Sequence, residues 1–174
     1  MDNHSLKMLF EYNQYANEMV LQVINQMDQD AMVKESSPSH NTVLKLLNHM
    51  LDCENFFLSL CSGEKYLAEE YDTGGRISTA WKGLSKQMLV YLDHISENDL
   101  MQIKEMDASG ERIFHLPVWQ FLTQALYHSH HHRGECSIIL TQLGYPLPTM
   151  DIILFFLEKS GQKWLSQAHT EGSV

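Results

Sequence analysis

Basic residues, prolines, cysteines and long apolar runs are all scarce in this 174-residue chain. Lys and Arg total 12 against 22 Asp and Glu, a formal net charge of −10; a field of that sign repels a phosphate backbone and argues against nucleic-acid binding. With Pro 4 and Gly 9, turn residues are too few for a many-stranded all-β chain, a collagen-like one or a disordered one. Cys53, Cys61 and Cys136 form an odd, sparse set, poor material for a disulfide framework, which points to a reducing, cytoplasmic setting. The first residues show no basic start followed by an apolar block and cleavage site. The densest late apolar run, Ile152 to Leu157, falls far short of the roughly 18 residues of a membrane span. No membrane partner is expected, and the length suits a single domain with a sizeable core.

What the chain does have is helical periodicity. Between Leu6 and Met27, Leu9, Tyr12, Ala16, Met19 and Val23 step by 3 and 4, one stripe of an amphipathic helix. The polar stretch Glu35 to His40 separates it from Val43, Leu46, Met50, Cys53, Phe57 and Leu60, a second stripe that Gly63 ends. A loop from Glu69 to Arg76 leads to Trp81, Leu84, Met88, Tyr91 and Ile95, the third. Leu100 to Asp107 and Glu111 to Leu116, around Gly110, read as a short hairpin. Pro117 then opens a fourth helix running to Leu143, roughly 40 Å at about 1.5 Å per residue. A short apolar helix from Asp151 to Leu157 comes next. Single-striped helices must bury their stripes against one another. The expected fold is therefore all-α: a four-helix bundle over residues 1–161, pairing helices one with two and three with four, and a polar tail over 162–174.

Histidine is the unusual component, at His 10. The stripe of helix four runs Val118, Phe121, Ala125, His128, His132, Cys136, Ile139 and Leu143. His128 and His132 thus stand one above the other on the buried face, where each needs a polar partner. A divalent cation satisfies both nitrogens at once. His49, flanking the stripe of helix two, is the candidate third donor, and three neutral imidazoles leave a coordination position open. His130 and His131 point off that face and read as solvated or interface residues. Cys53 and Cys136 stand four residues from His49 and His132, so a mixed set is geometrically possible; free cysteines at stripe positions are also ordinary small hydrophobes.

These segments resemble a known family. LFEYNQYANEMVL and TVLKLLNHMLDCENFF look like the first two helices of DinB-family (YfiT-like) metal-binding four-helix bundles. YHSHHHRGECSIILTQLGYPLPTMDIILFF resembles their NHxxHHRGQ motif with its leucine-rich run, Gly-x-x-x-P and Asp. Tyr127 replaces the usual asparagine, and Glu135 the usual glutamine. The resemblance implies a metal triad at His49, His128 and His132, a nickel, zinc or other divalent ion, and homodimers in many members. It further implies chemistry on low-molecular-weight thiols, since related bundles include thiol S-transferases and thiol-dependent isomerases.

The expected function is a metal-dependent thiol S-transferase with a small-molecule thiol and an electrophile as partners. The rivals are a non-enzymatic, stress-associated binding protein braced by a structural metal, and a metal-dependent hydrolase. Glu54 or Glu135 could accept a hydrogen bond from a ligand imidazole or a substrate, or could be solvated helix carboxylates. Arg133 could anchor a carboxylate of a thiol or pair with an acid.

Overall fold

The computed structural model describes residues 2–107, 110 and 112–162. Four long helices carry the fold: α1 (Asn3–Ile24), α3 (Val43–Ser62), α4 (Gly74–His94) and α6 (Val118–Gln142). Short elements fill the connections, namely α2 (Gln29–Val33), β1 (Glu35–Ser37), β2 (Asn41–Thr42), α5 (Glu97–Leu100), β3 (Ile103–Asp107), β4 (Ile113–Pro117) and α7 (Ile152–Lys159). The all-α expectation with a hairpin before the last long helix and a short helix after it holds. Strands β3 and β4 pair antiparallel, with Ile103 opposite Pro117 and Asp107 opposite Ile113.

Helix starts follow from side-chain caps. Asp2 accepts from the Ser5 N–H, Thr42 from Lys45 and Thr73 from Arg76, each satisfying a donor that the first turn leaves orphaned. Gly63 ends α3 at φ 80, a left-handed conformation that glycine adopts without strain. Ser96 and Asp99 form a reciprocal capping box that turns Leu100 into helix α5 rather than strand.

In the bundle, α1 packs on α4 and α6, and α3 packs on the same two helices. The expected pairing of helix one with two and three with four is therefore corrected: α1 faces α3, and α4 faces α6, across the diagonals. Leu46, Met50, Trp81, Leu84, Phe121, Ala125 and Ile139, all expected in the core, are buried there. Phe155 of α7 is also buried, with its ring 5.9 Å from Tyr12 and 5.5 Å from Tyr15.

Several boundaries move. The buried face of α1 is Leu6, Phe10, Asn13, Ala16, Asn17, Val20, Leu21 and Ile24, so of the expected stripe only Ala16 is fully buried. Its inward positions include two asparagines, which a hydrophobic pattern passes over. The expected loop from Glu69 to Arg76 ends early, because Thr73 caps α4 and places Gly74 and Gly75 in its first turn. Pro117 closes β4 and caps α6 instead of occupying its first turn. The polar tail, apart from Gln162, lies outside the described residues. Among the described residues no helix is long and apolar enough to cross a membrane.

Candidate metal centre

The packing of α3 on α6 decides what the histidines meet. His49 projects from α3, and His128 and His132 project from α6 one turn apart. Their ring centroids lie 4.8 Å (His49–His128), 5.0 Å (His49–His132) and 4.5 Å (His128–His132) apart. The Nε2 atoms of His49 and His128 approach to 3.0 Å. His130 and His131, on the same helix, are exposed.

Sequence reasoning missed a fourth imidazole. His40, on the turn between β1 and β2, stacks on His49 with centroids 4.0 Å apart and an interplanar angle of 24°, and meets His132 edge-on at 5.3 Å. No periodicity marks that turn, and its polar, proline-containing sequence reads as a spacer. The only local signal is its position two residues before Thr42, the cap of α3.

Behind the rings stands Glu135. Its carboxylate accepts from the hydroxyls of Ser37 (2.6 Å) and Ser39 (2.7 and 2.6 Å) and from the Ser39 N–H (3.2 Å), and it lies 3.2 Å from His132 Nδ1. Burial works to raise its pKa, but those hydroxyls, the Ser39 N–H and His132 outweigh it and hold Glu135 at about 2. Burial first, then the neighbouring His132 and His49, pushes His128 down to about 4. His49 and His40 are lowered by burial and by adjacent imidazoles. Neutral rings with free lone pairs are the form that a metal ion requires.

Among the described residues, donor atoms form two adjoining groups that could hold a metal ion. One atom each from His49, Cys53 and His128 lies within 4.8 Å of the other two, and the same holds for His40, His132 and Glu135. The residues present fit a divalent cation. Two ring nitrogens 3.0 Å apart span neighbouring positions on an ion whose bonds to imidazole run about 2.0–2.1 Å. His128 Nδ1 is buried and meets no hydrogen-bond partner among the described residues, an under-satisfied state for a purely structural histidine. A cleft of about 290 Å³ lined by Asn48, His49, Asp52, Ala68, Glu69 and Glu70 reaches His49, and its carboxylates attract cations.

The other candidates separate cleanly. Cys53 is half-buried, with Sγ 3.8 Å from both His49 ring nitrogens. Cys136 is fully buried against Met50 and belongs to neither donor group, which removes it from any mixed set. Glu54 and Arg133 are neither solvated nor at the histidines; they sit in a buried polar network among the four helices. Of the two carboxylates considered, Glu135 is the one beside an imidazole.

Fold and cluster together define the class: a four-helix bundle in which histidines of two packed helices and one turn converge. The model of the DinB family matches residues 1–163, and the chain belongs to that family. In fold it is similar to a DinB-like protein from Bacillus cereus, at 18% identity and TM-score 0.63, covering 78% of this chain and 90% of that one. It is likewise similar to a DinB-like protein, YjoA, from Bacillus subtilis, at 18% identity and TM-score 0.61, covering 82% and 96%. No curated protein matches the chain in sequence.

Proposed function

We propose that this chain binds one divalent ion, nickel or zinc, through His49, His128 and His132, and acts as a cytoplasmic S-transferase for low-molecular-weight thiols. The observation that carries the reading is the 3.0 Å approach of His49 and His128 Nε2 beside His132. Imidazole donors suit nickel and zinc. A divalent ion held by three imidazoles keeps a position for a further donor and lowers the pKa of a thiol placed there.

The protein's own groups have defined tasks. Glu135 accepts a hydrogen bond from the Nδ1–H of His132, which orients the ring and leaves the Nε2 lone pair free to bind an ion. His128, held neutral by burial, supplies its lone pair without first losing a proton. Asp52, Glu69 and Glu70 give the cleft at His49 a sign that draws a cation inward. In the transfer, the thiol sulfur bonds to an electrophilic carbon, the leaving group departs with its bonding pair, and the thiol proton passes to solvent. The three free thiols fit a reducing compartment.

The test is elemental analysis of the purified protein and of His49→Ala, His128→Ala and His132→Ala, with His130→Ala and His131→Ala as controls. It is joined to turnover of a reactive electrophile with bacillithiol, mycothiol, glutathione or cysteine. One ion per chain, lost in the first three variants only, and turnover that needs both metal and thiol are expected. Metal whose removal lowers the melting temperature, with no turnover, would leave only the bracing role. Absence of binding across nickel, zinc, manganese and iron would overturn the reading.

A further inference from the structure

Arg133 is buried, at 3% exposure, yet its hydrogen bonds leave from one nitrogen. Nη1 donates to Asn13 and Asn17. The Tyr12 oxygen, whose own proton goes to the Met150 carbonyl at 2.6 Å, helps keep the guanidinium charged and takes at most one of the three N–H groups on Nε and Nη2. Nothing else among the described residues accepts from them. The enclosed atoms without a partner are Asn3 Oδ1 and His128 Nδ1, so neither Nε nor Nη2 is sealed off: both keep a surface that a small molecule can reach.

That surface opens into a cavity of about 310 Å³ between α1, α6 and the connection into α7, which Arg133 and Asn13 line. The α6 side chains on it, from Thr123 through Leu126, Tyr127 and His130 to Arg133, step by 3, 1, 3 and 3 and occupy one face of the helix. His128 and His132 turn the opposite way, toward α3. Around the guanidinium the walls are apolar, formed by Leu9, Leu126, Met150 and Ile152. Water is held poorly by such walls, and a buried donor without an acceptor is costly. Tyr127, His130 and Asp151 are exposed and stand at the mouth.

We propose that this cavity binds a small monocarboxylate with an apolar body, its two oxygens on the Nε–Nη2 edge of Arg133 and its body against Leu9, Leu126, Met150 and Ile152. The side-on edge of a guanidinium offers two parallel N–H groups, the geometry that a carboxylate matches. The volume is at the small end of ligand pockets, enough for one aromatic ring or a short alkyl chain. Asp151 gives the site a polarity: its carboxylate at the mouth turns the charged end of the ligand inward and disfavours a second acid group. Because the guanidinium already answers Glu54 through the two asparagines, the attraction is moderate. The site lies across α6 from the histidines and does not rest on the metal reading.

The experiment is calorimetric titration of the full chain with phenylacetate, with phenylacetamide, 2-phenylethylamine and phenylmalonate as its uncharged, cationic and doubly acidic counterparts. One phenylacetate per chain with a Kd below about 1 mM is expected, at least about tenfold tighter than each counterpart. Asp151→Asn should tighten phenylacetate by about two- to fivefold, the effect of removing one exposed like charge. Ile152→Trp, which fills the cavity from a half-buried position outside the core, should abolish binding, and Arg133→Lys, which keeps the charge but loses the fork, should weaken it by at least about tenfold. Should Arg133→Lys fail to unfold cooperatively, Ile152→Trp and Asp151→Asn decide the matter alone. His128→Ala should bind phenylacetate as the wild type does. Loss of binding in His128→Ala would place the carboxylate on the metal and overturn the proposal. Equal affinity for acid and amide, wild-type affinity in Ile152→Trp, or no binding up to about 10 mM would overturn it too.

Discussion

The Arg133 guanidinium and the Glu54 carboxylate are joined through the side-chain amides of Asn13 and Asn17. Arg133 Nη1 donates to the Oδ1 atoms of both asparagines, whose Nδ2 atoms donate to Glu54 Oε1 at 2.9 and 3.0 Å. Trp81 Nε1 and the Ser129 hydroxyl complete the carboxylate's donors at 3.0 and 2.5 Å. Every long helix contributes: α1 the asparagines, α3 Glu54, α4 Trp81, α6 Ser129 and Arg133. Burial lowers the Arg133 pKa, and Glu54 opposes that shift. Two buried charges cost little when fully hydrogen-bonded and a great deal when one is left alone. Glu54→Ala and Arg133→Ala should each lower unfolding stability by about 3–5 kcal/mol, with the double variant well short of their sum. Strict additivity in urea denaturation would show that the two charges are not coupled.

That network explains what the sequence hides and what it reveals. The face of α6 is legible because the run Val118, Phe121, Ala125, His128, His132, Cys136 and Ile139 is apolar but for its two histidines, although the buried Ser129 and Arg133 beside it give no such signal. The face of α1 reads about one residue out of phase, since Asn13 and Asn17 occupy inward positions and only distant partners, Glu54 37 to 41 residues away and Arg133 116 to 120 away, make their burial tolerable. His40 is hidden for the same kind of reason. Its placement depends on Ser39 meeting Glu135 across 96 residues, which no local pattern encodes. Convergence of His49 with His128 and His132 is legible as spacing plus a facing helix; the choice between Glu54 and Glu135 is not, because Glu54 stands five residues from His49 and Glu135 three from His132, and neither spacing by itself fixes a contact.

Gly74 and Gly75 occupy the same helical turn but differ in what surrounds them. A Cβ on Gly74 would lie 2.8 Å from Ile24 Cγ2 and 3.2 Å from Met32, whereas one on Gly75 would meet nothing within 4 Å. Alanine at Gly75 should therefore stabilise the fold by about 0.4–1 kcal/mol through the smaller entropy of its unfolded chain. The same change at Gly74 should destabilise it, because the stiff, buried Ile24 must shift. Thermal denaturation of the two variants gives opposite signs; a matching gain at both positions would mean that α1 and α4 approach less closely here.

Thiol reactivity discriminates between the two donor groups. Burial pushes Cys53 up to about 11 and Cys61 and Cys136 up to about 12. At pH 8 the thiolate fraction is then on the order of one part in a thousand or less, and the thiolate is the nucleophile. Labelling of the native protein with a thiol-reactive disulfide should be slow, with the half-buried Cys53 ahead and Cys61 and Cys136 released only on unfolding. Should zinc abolish labelling of Cys53 while His132→Ala still retains metal, the ion would belong to the group of His49, Cys53 and His128.

Phe121 separates packing from metal chemistry. It is buried, stacks on Phe57 with ring centroids 6.3 Å apart, and lies on the same α6 stripe as His128, about two turns earlier. Phe121→Ala removes a large apolar side chain from a site closed on all sides, so the lost transfer energy and the residual cavity should together cost about 3–5 kcal/mol. The histidine rings take their positions from α3, from the β1–β2 turn and from the later turns of α6, not from Phe121. Metal stoichiometry should consequently stay at the wild-type value at temperatures where the variant remains folded, while the denaturation midpoint falls. A loss below about 0.5 kcal/mol would place Phe121 outside the core. Metal lost in step with stability would instead show that the histidine cluster depends on the whole length of the α3–α6 contact, so that the ion and the core fold as one unit.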